Sequence, residues 1–146
     1  MQTTRPTPAG WPRLSSSLAY RDPVRAIDWL VAAFGFSVRI KVPDGAGGIA
    51  HSELTFGEAV VMVGGERSEG VTPTRSPRSL EGANTQALFI YVDDIEAHYT
   101  QALAAGAVPA RELATTDYGE GYWTDRGYSV LDPEGHTWHF AQRLRP

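Results

Sequence analysis

The chain has 146 residues, 42% of them hydrophobic and 21% charged, the proportions of an ordinary globular protein; a disordered or fibrous chain and two large independent domains are excluded. A formal charge of -4 spread along the sequence without a basic run gives no reason to expect nucleic acid or an anionic membrane as a partner. There is no cysteine, hence no disulfide framework, thiolate ligand or thiol nucleophile. The stretch Met1 to Pro12 is largely polar and no apolar run approaches about 18 residues, so neither a leader nor a spanning helix is predicted and the cytoplasm is the default location.

The first element is a half-buried strand over Arg13 to Ala19, with Leu14 and Leu18 alternating with small or polar residues. Asp22-Pro23 supplies an N-cap acceptor and a first-turn proline. Ile27, Leu30, Val31 and Phe34 then mark the apolar stripe of a helix that Gly35 closes. Three strands follow, Phe36 to Val42, Ile49 to Phe56 and Ala59 to Val63, divided by glycine-rich turns. The aperiodic segment 65–85 is rich in Gly, Ser, Pro, Arg and Glu and reads as a linker, with the character of a lid.

The same order then recurs. Gln86 to Val92 is a strand, Asp93 with Glu96 forms a capping box, and Ile95, Tyr99 and Leu103 make the stripe of a helix ending at Gly106. Strands are predicted over Val108 to Leu113, Tyr122 to Leu131 and Thr137 to Gln142, with Asp132-Pro133-Glu134-Gly135 as a tight turn before the last. One constant offset places Tyr20 on Tyr91, Asp22 on Asp93, Ala26 on Ala97, Ala33 on Ala104 and Gly35 on Gly106. The fold class is therefore α+β: one domain over 1–146 made of two tandem βαβββ modules, 13–64 and 86–142, whose curved mixed sheets enclose a cleft.

Several residues carry chemistry at this spacing. His139 shares a strand face with Thr137 and Ala141 and is a candidate base, hydrogen-bond donor or ligand, or a structural histidine. His51 and Glu53 share a face with Thr55, so an imidazole and a carboxylate stand side by side as a candidate acid/base pair, or as part of a solvated face. Ser15 and Ser17 line the face opposite Leu14 and Leu18, leaving room for a ligand, with no sequence context that activates a serine. Asp117 to Tyr128 packs Tyr118, Tyr122 and Trp123 among charges, which suits a planar or amphipathic ligand or a subunit interface. Gln86, with Asn84 and Thr85 before it, and Tyr91 complete the expected lining. His98 is expected on the exposed side of the second helix and His136 in the turn, neither with a role.

Ala26-Ile27-Asp28-Trp29 leading to Ala33-Phe34-Gly35-Phe36, and Asp132-Pro133-Glu134-Gly135-His136 leading to Trp138-His139-Phe140, resemble the vicinal oxygen chelate superfamily of glyoxalases, bleomycin-resistance proteins and extradiol dioxygenases, over Leu14 to Gln142. The resemblance implies paired modules around a small-molecule pocket, often in a homodimer. In the enzymes, four side chains from the first and last strands of both modules hold a divalent metal. Those positions fall on Ser15, on Val61 or Met62, on Ala87 or Gln86, and on His139, and His139 alone is a convincing ligand. The expectation is thus a protein that binds a small aromatic or amphipathic molecule without the usual metal or another cofactor. The alternatives are a metal-dependent glyoxalase- or dioxygenase-type lyase, isomerase or oxygenase, using His139 with His51, Glu53 or Gln86, and a module whose cleft has become an interface.

Overall fold

The computed structural model describes residues 5–146; the first four residues of the polar stretch read as lacking a leader lie outside the described residues. In chain order come β1 (Ser16–Tyr20), α1 (Pro23–Phe34), β2 (Ser37–Pro43), β3 (Ile49–Phe56), β4 (Ala59–Gly65), a 3-10 turn (Pro77–Leu80), β5 (Ala87–Tyr91), α2 (Ile95–Ala104), β6 (Val108–Asp117), β7 (Thr124–Leu131) and β8 (Thr137–Arg145). They form two mixed four-stranded sheets, ordered β1-β4-β3-β2 and β5-β8-β7-β6, in which the first strand of each module runs parallel to its last and the other neighbours are antiparallel. This is the α+β architecture of two βαβββ units. No helix among the described residues is long and apolar enough to cross a membrane.

Helix α1 forms where its caps predict. The Asp22 carboxylate accepts from the Arg25 amide at 3.0 Å, Pro23 opens the first turn, and Gly35, at φ 81°, donates its amide to the Val31 carbonyl. Its buried face is Ala26, Ile27, Leu30, Ala33 and Phe34. Phe34 projects past its own module into the second, with ring centroids 5.3 Å from Trp138 and 4.6 Å from Phe140. The two helices touch, and Trp29 Nε1 and Gln101 Nε2 donate to the Ala105 and Ala32 carbonyls across the contact. One apolar cluster therefore spans both modules on the helical side of the sheets.

The modules are also clamped by two buried carboxylates in the turn before β8. Asp132 Oδ1 accepts from the Glu134 and His136 amides, while Oδ2 accepts from the Tyr20 hydroxyl at 2.6 Å and from Trp138 Nε1 at 3.1 Å. Glu134 Oε1 accepts from the Arg21 amide and the Ser76 hydroxyl, both at 2.6 Å, and Oε2 from the Asp22 amide at 3.0 Å. His136 Nε2 donates to the Ala19 carbonyl at 2.8 Å. A turn of the second module thus grips the β1–α1 junction of the first. Burial and the neighbouring Asp132 carboxylate push the Tyr20 hydroxyl well above its ordinary range, so it stays a donor.

Several expectations are corrected. Leu14 is 87% exposed and precedes β1, because the strand begins only where pairing with β4 starts at Ser16. The N-cap of α2 is Asp94, which accepts from the Ala97 amide; Glu96 instead pairs with Arg126 at 2.6 Å. The repeat is therefore one residue longer at this junction than the Tyr20-on-Tyr91 alignment assumes: Tyr20 is buried beneath its helix, whereas Tyr91 lies on the opposite, open face of its sheet. His98 is buried, not on the surface, and Leu103 is outside the packed stripe of Ile95, His98 and Ala102. The His98 Nε2 donates to the Phe34 carbonyl at 2.9 Å, which leaves Nδ1 to accept from the Tyr128 hydroxyl at 2.7 Å.

Replacing Tyr20 with Phe removes one donor from a buried charge, and the expected loss is about 1.5–3 kcal/mol. Urea denaturation with an unchanged m-value checks it. Desolvation holds His98 below its ordinary value of 6.5, opposed by its bond to Phe34. A depressed folded-state value means that the unfolded chain takes up the proton first, so this contribution to stability is full above the unfolded value and is lost as the pH falls below it. Denaturation midpoints measured from pH 7.5 to 5 should fall, and His98→Gln should flatten the fall to the part left by His139, which burial and Arg111 also hold below its ordinary value.

Candidate functional site

Packing the helices on one side of each sheet leaves the other side open, and strand alternation decides what stands there. On the first sheet, β3 presents His51, Glu53 and Thr55 to the open side while Ser52 and Leu54 point inward. Glu53 Oε1 is 3.0 Å from His51 Nε2, and Oε2 accepts from Arg39 Nε at 2.7 Å. The bond from His51, together with the Arg39 cation, holds the Glu53 carboxyl below its ordinary range. Arg39 also donates to the Gly10 carbonyl and lies over the Trp11 ring, so the segment before β1 is tied to this edge. Aliphatic Ile40 and Val42, paired with Glu53 and His51, stand more than two-fifths exposed beside them.

The second sheet presents rings. Phe89, Tyr91, Tyr122 and Trp123 are 57%, 48%, 60% and 40% exposed. Phe89 and Tyr91, alternate residues of β5, meet edge to face at 5.2 Å. Tyr91 pairs with Ala141 and reaches across β8 to donate to Asp125 Oδ2 on β7 at 2.9 Å. Small neighbours make that reach feasible: Ala141 is cross-strand from Gly127, where an added Cβ would come within 2.5 Å of the Phe140 carbonyl oxygen. Arg143 is bonded to Asp125 and to the Tyr91 hydroxyl and is sandwiched between rings, 5.0 Å from the Tyr91 centroid and 4.7 Å from that of Trp123. Desolvation and the Asp125 carboxylate raise the Tyr91 hydroxyl above its ordinary range.

One row further along, Arg111, Ser129, His139 and Phe89 are successive cross-strand partners on β6, β7, β8 and β5. The Ser129 hydroxyl and His139 Nδ1 are 2.6 Å apart, and the Phe89 and His139 rings are 6.3 Å apart. When the hydroxyl donates to Nδ1, the Nε2 proton of His139 is left for a ligand.

The structure thus brings Tyr91, Trp123 and His139 together on one face, with Tyr118 and Tyr122 beside Trp123 in the β6–β7 hairpin, at centroid distances of 6.0 and 6.1 Å. His51 and Glu53 belong to the other sheet. Ser17 and Gln86 line a separate cavity of about 610 Å³ bounded by the linker residues Arg67, Thr74 and Asn84. Gln86 is held there by the Ser16 hydroxyl, and the Ser15 hydroxyl is buried without a hydrogen-bond partner. Sequence reasoning missed Phe89, Arg111, Asp125, Ser129 and Arg143. Phe89 and Arg143 carry a signal, since each alternates with a named residue, Tyr91 and His139 respectively, but the last strand runs to Arg145, past the predicted end at Gln142.

The donor set does not fit the metal that the resemblance implies. Val61 points into the core, and the open-face pairs are Ser17 with Met62 and Phe89 with His139. One imidazole, with the Ser15 or Ser17 hydroxyl, the Met62 thioether and Ala87 or the Phe89 ring at the other positions and Gln86 turned into the separate cavity, is not a set for a divalent ion of the hard or borderline kind.

The family model described as Glyoxalase/Bleomycin resistance protein/Dioxygenase superfamily matches residues 14–140. An uncharacterized protein of Mycobacterium bovis is 32% identical over 139 residues, covering 92% of this chain and 85% of its own length. The crystal structure of TioX from Micromonospora sp. ML1 is similar at 33% identity and TM-score 0.68, over 90% of this chain and 95% of that one. A glyoxalase/bleomycin resistance protein/dioxygenase structure from Alicyclobacillus acidocaldarius shares the fold at 15% identity and TM-score 0.62, over 94% and 96% of the two chains. Matched over nearly its whole length, and folded as paired βαβββ modules with open sheet faces, this chain belongs to the glyoxalase/bleomycin resistance protein/dioxygenase superfamily.

Proposed function

We propose that the protein binds a small planar aromatic molecule on the open face of its second sheet, without the metal of the superfamily's enzymes. The observation that carries this reading is the exposed group of Phe89, Tyr91, Tyr122 and Trp123, in which Tyr91 and Trp123 are held by Arg143, itself paired with Asp125. Exposed rings are stabilised by stacking another ring, and hydrogen-bonding tips at Tyr122 and His139 give such a ligand an orientation. The protein works as a homodimer in this reading. The aliphatic open face of the first sheet, with Ile40 and Val42, supplies the apolar cover that the aromatic face lacks within its own chain.

A second reading, an enzyme of the same superfamily, is favoured by the contact of His51 with Glu53, in which a carboxylate orients an imidazole. Binding and metal content separate the two. Titration with 2-naphthamide, followed by amide chemical shifts, should give saturable binding that Phe89→Ala or Trp123→Ala weakens about fivefold. Purified protein should bind the amide with no stoichiometric divalent metal; a stoichiometric metal lost on His139→Ala sinks the metal-free reading. Sedimentation velocity should show a dimer that Val42→Asp dissociates, and a monomer at all concentrations would remove the partner's cover from the proposal.

A further inference from the structure

Five arginines stand on the strands of the two sheets. Four have a carboxylate partner: Arg39 with Glu53, Arg126 with Glu96, Arg143 with Asp125 and Arg145 with Asp117. Arg111 has none among the described residues. On a chain whose net charge is -4, this leaves a local surplus of positive charge on the open face of the second sheet. It lies in the same row as Ser129, His139 and Phe89, close enough to His139 for its charge to disfavour the imidazolium. The row therefore offers a guanidinium fork and, with Ser129 donating to Nδ1, the Nε2 proton of His139. Phe89, the aromatic end of the row, stands 6.3 Å from the His139 ring.

We infer that the ligand is a planar aromatic acid, its ring on Phe89 and Tyr91 and its carboxylate, sulfonate or ionised phenol held by Arg111 and His139. The inference rests on the aromatic-binding reading above and deepens it. A neutral ring leaves Arg111 without a counter-charge, whereas an anion in that position is bound by charge-assisted hydrogen bonds from two preplaced donors. A cationic aromatic is disfavoured there, since Arg143 is neutralised by Asp125 and no free carboxylate stands in the row.

The test compares 2-naphthoate with 2-naphthamide, which differ in charge and hardly in shape, on the full-length protein at low ionic strength. Naphthoate should bind roughly tenfold more tightly, and salt should weaken that preference. Arg111→Gln should abolish the preference, and Arg111→Lys should restore part of it. Imidazole NMR should show the His139 titration moving upward when naphthoate is bound, a readout in the wild-type protein that needs no variant. Equal binding of the two probes, or a preference that survives Arg111→Gln, overturns the anion inference and leaves the aromatic site standing. Binding of neither probe overturns both.

Discussion

Two carboxylates that sit in the interior, with no ion-pair partner among the described residues, hold the molecule together. A buried charge is tolerated only if hydrogen-bond donors replace its water, and here every oxygen of Asp132 and Glu134 has at least one. The donors come from three parts of the chain: the turn itself and β8, the β1–α1 junction, and Ser76 in the linker. Satisfying the two acids therefore requires the second module's turn to lie against the first module's helix entry. Glu134 takes the backbone amides of Arg21 and Asp22, and Asp22 in turn caps α1, so the clamp and the helix start share a residue.

Once that junction is fixed, Phe34 has one place to go, between its own sheet and the rings of Trp138 and Phe140. The helices meet over a shared core, and each sheet is covered on a single side. The uncovered sides are where the proposed reading places the ligand. In this chain they differ from one another, one carrying aliphatic residues with a His–Glu–Arg chain, the other carrying rings with two arginines. Duplication explains the frame; divergence of the outward-facing residues explains why the two faces are not interchangeable.

The frame was legible in the sequence because caps, glycines and alternating strands are local signals. Asp22, Pro23 and Gly35 bound α1 as read, and Ile49 to Phe56 emerges with the same limits. What failed were the one-residue decisions. Counting Tyr20 and Tyr91 as equivalents ignored the extra residue before α2, and a shift of one turns a strand residue from core to open face. His98 reads as polar and hence exposed, but its partners, the end of α1 and Tyr128, are distant in sequence. The site was half legible for the same reason: Trp123 and Tyr122 advertise themselves in an aromatic run, whereas Arg111 and Ser129 acquire meaning only from the registers that set them beside His139.

Those registers also bear on chemistry. His139 occupies the position from which the superfamily's last strand reaches a metal, yet its parallel neighbour on β5 is Phe89 and its antiparallel neighbour on β7 is Ser129. The serine fixes one imidazole nitrogen, the phenyl ring flanks the other side, and burial, with the charge of the arginine in the same row, holds the imidazole below its ordinary range. A neutral histidine beside a cation suits the capture of an acceptor atom. It is a poor start for a metal site, where Arg111 would repel the ion that the imidazole is meant to hold. In the proposed reading, the same fold, with the same strand ends, serves to hold the ligand directly rather than through a cation.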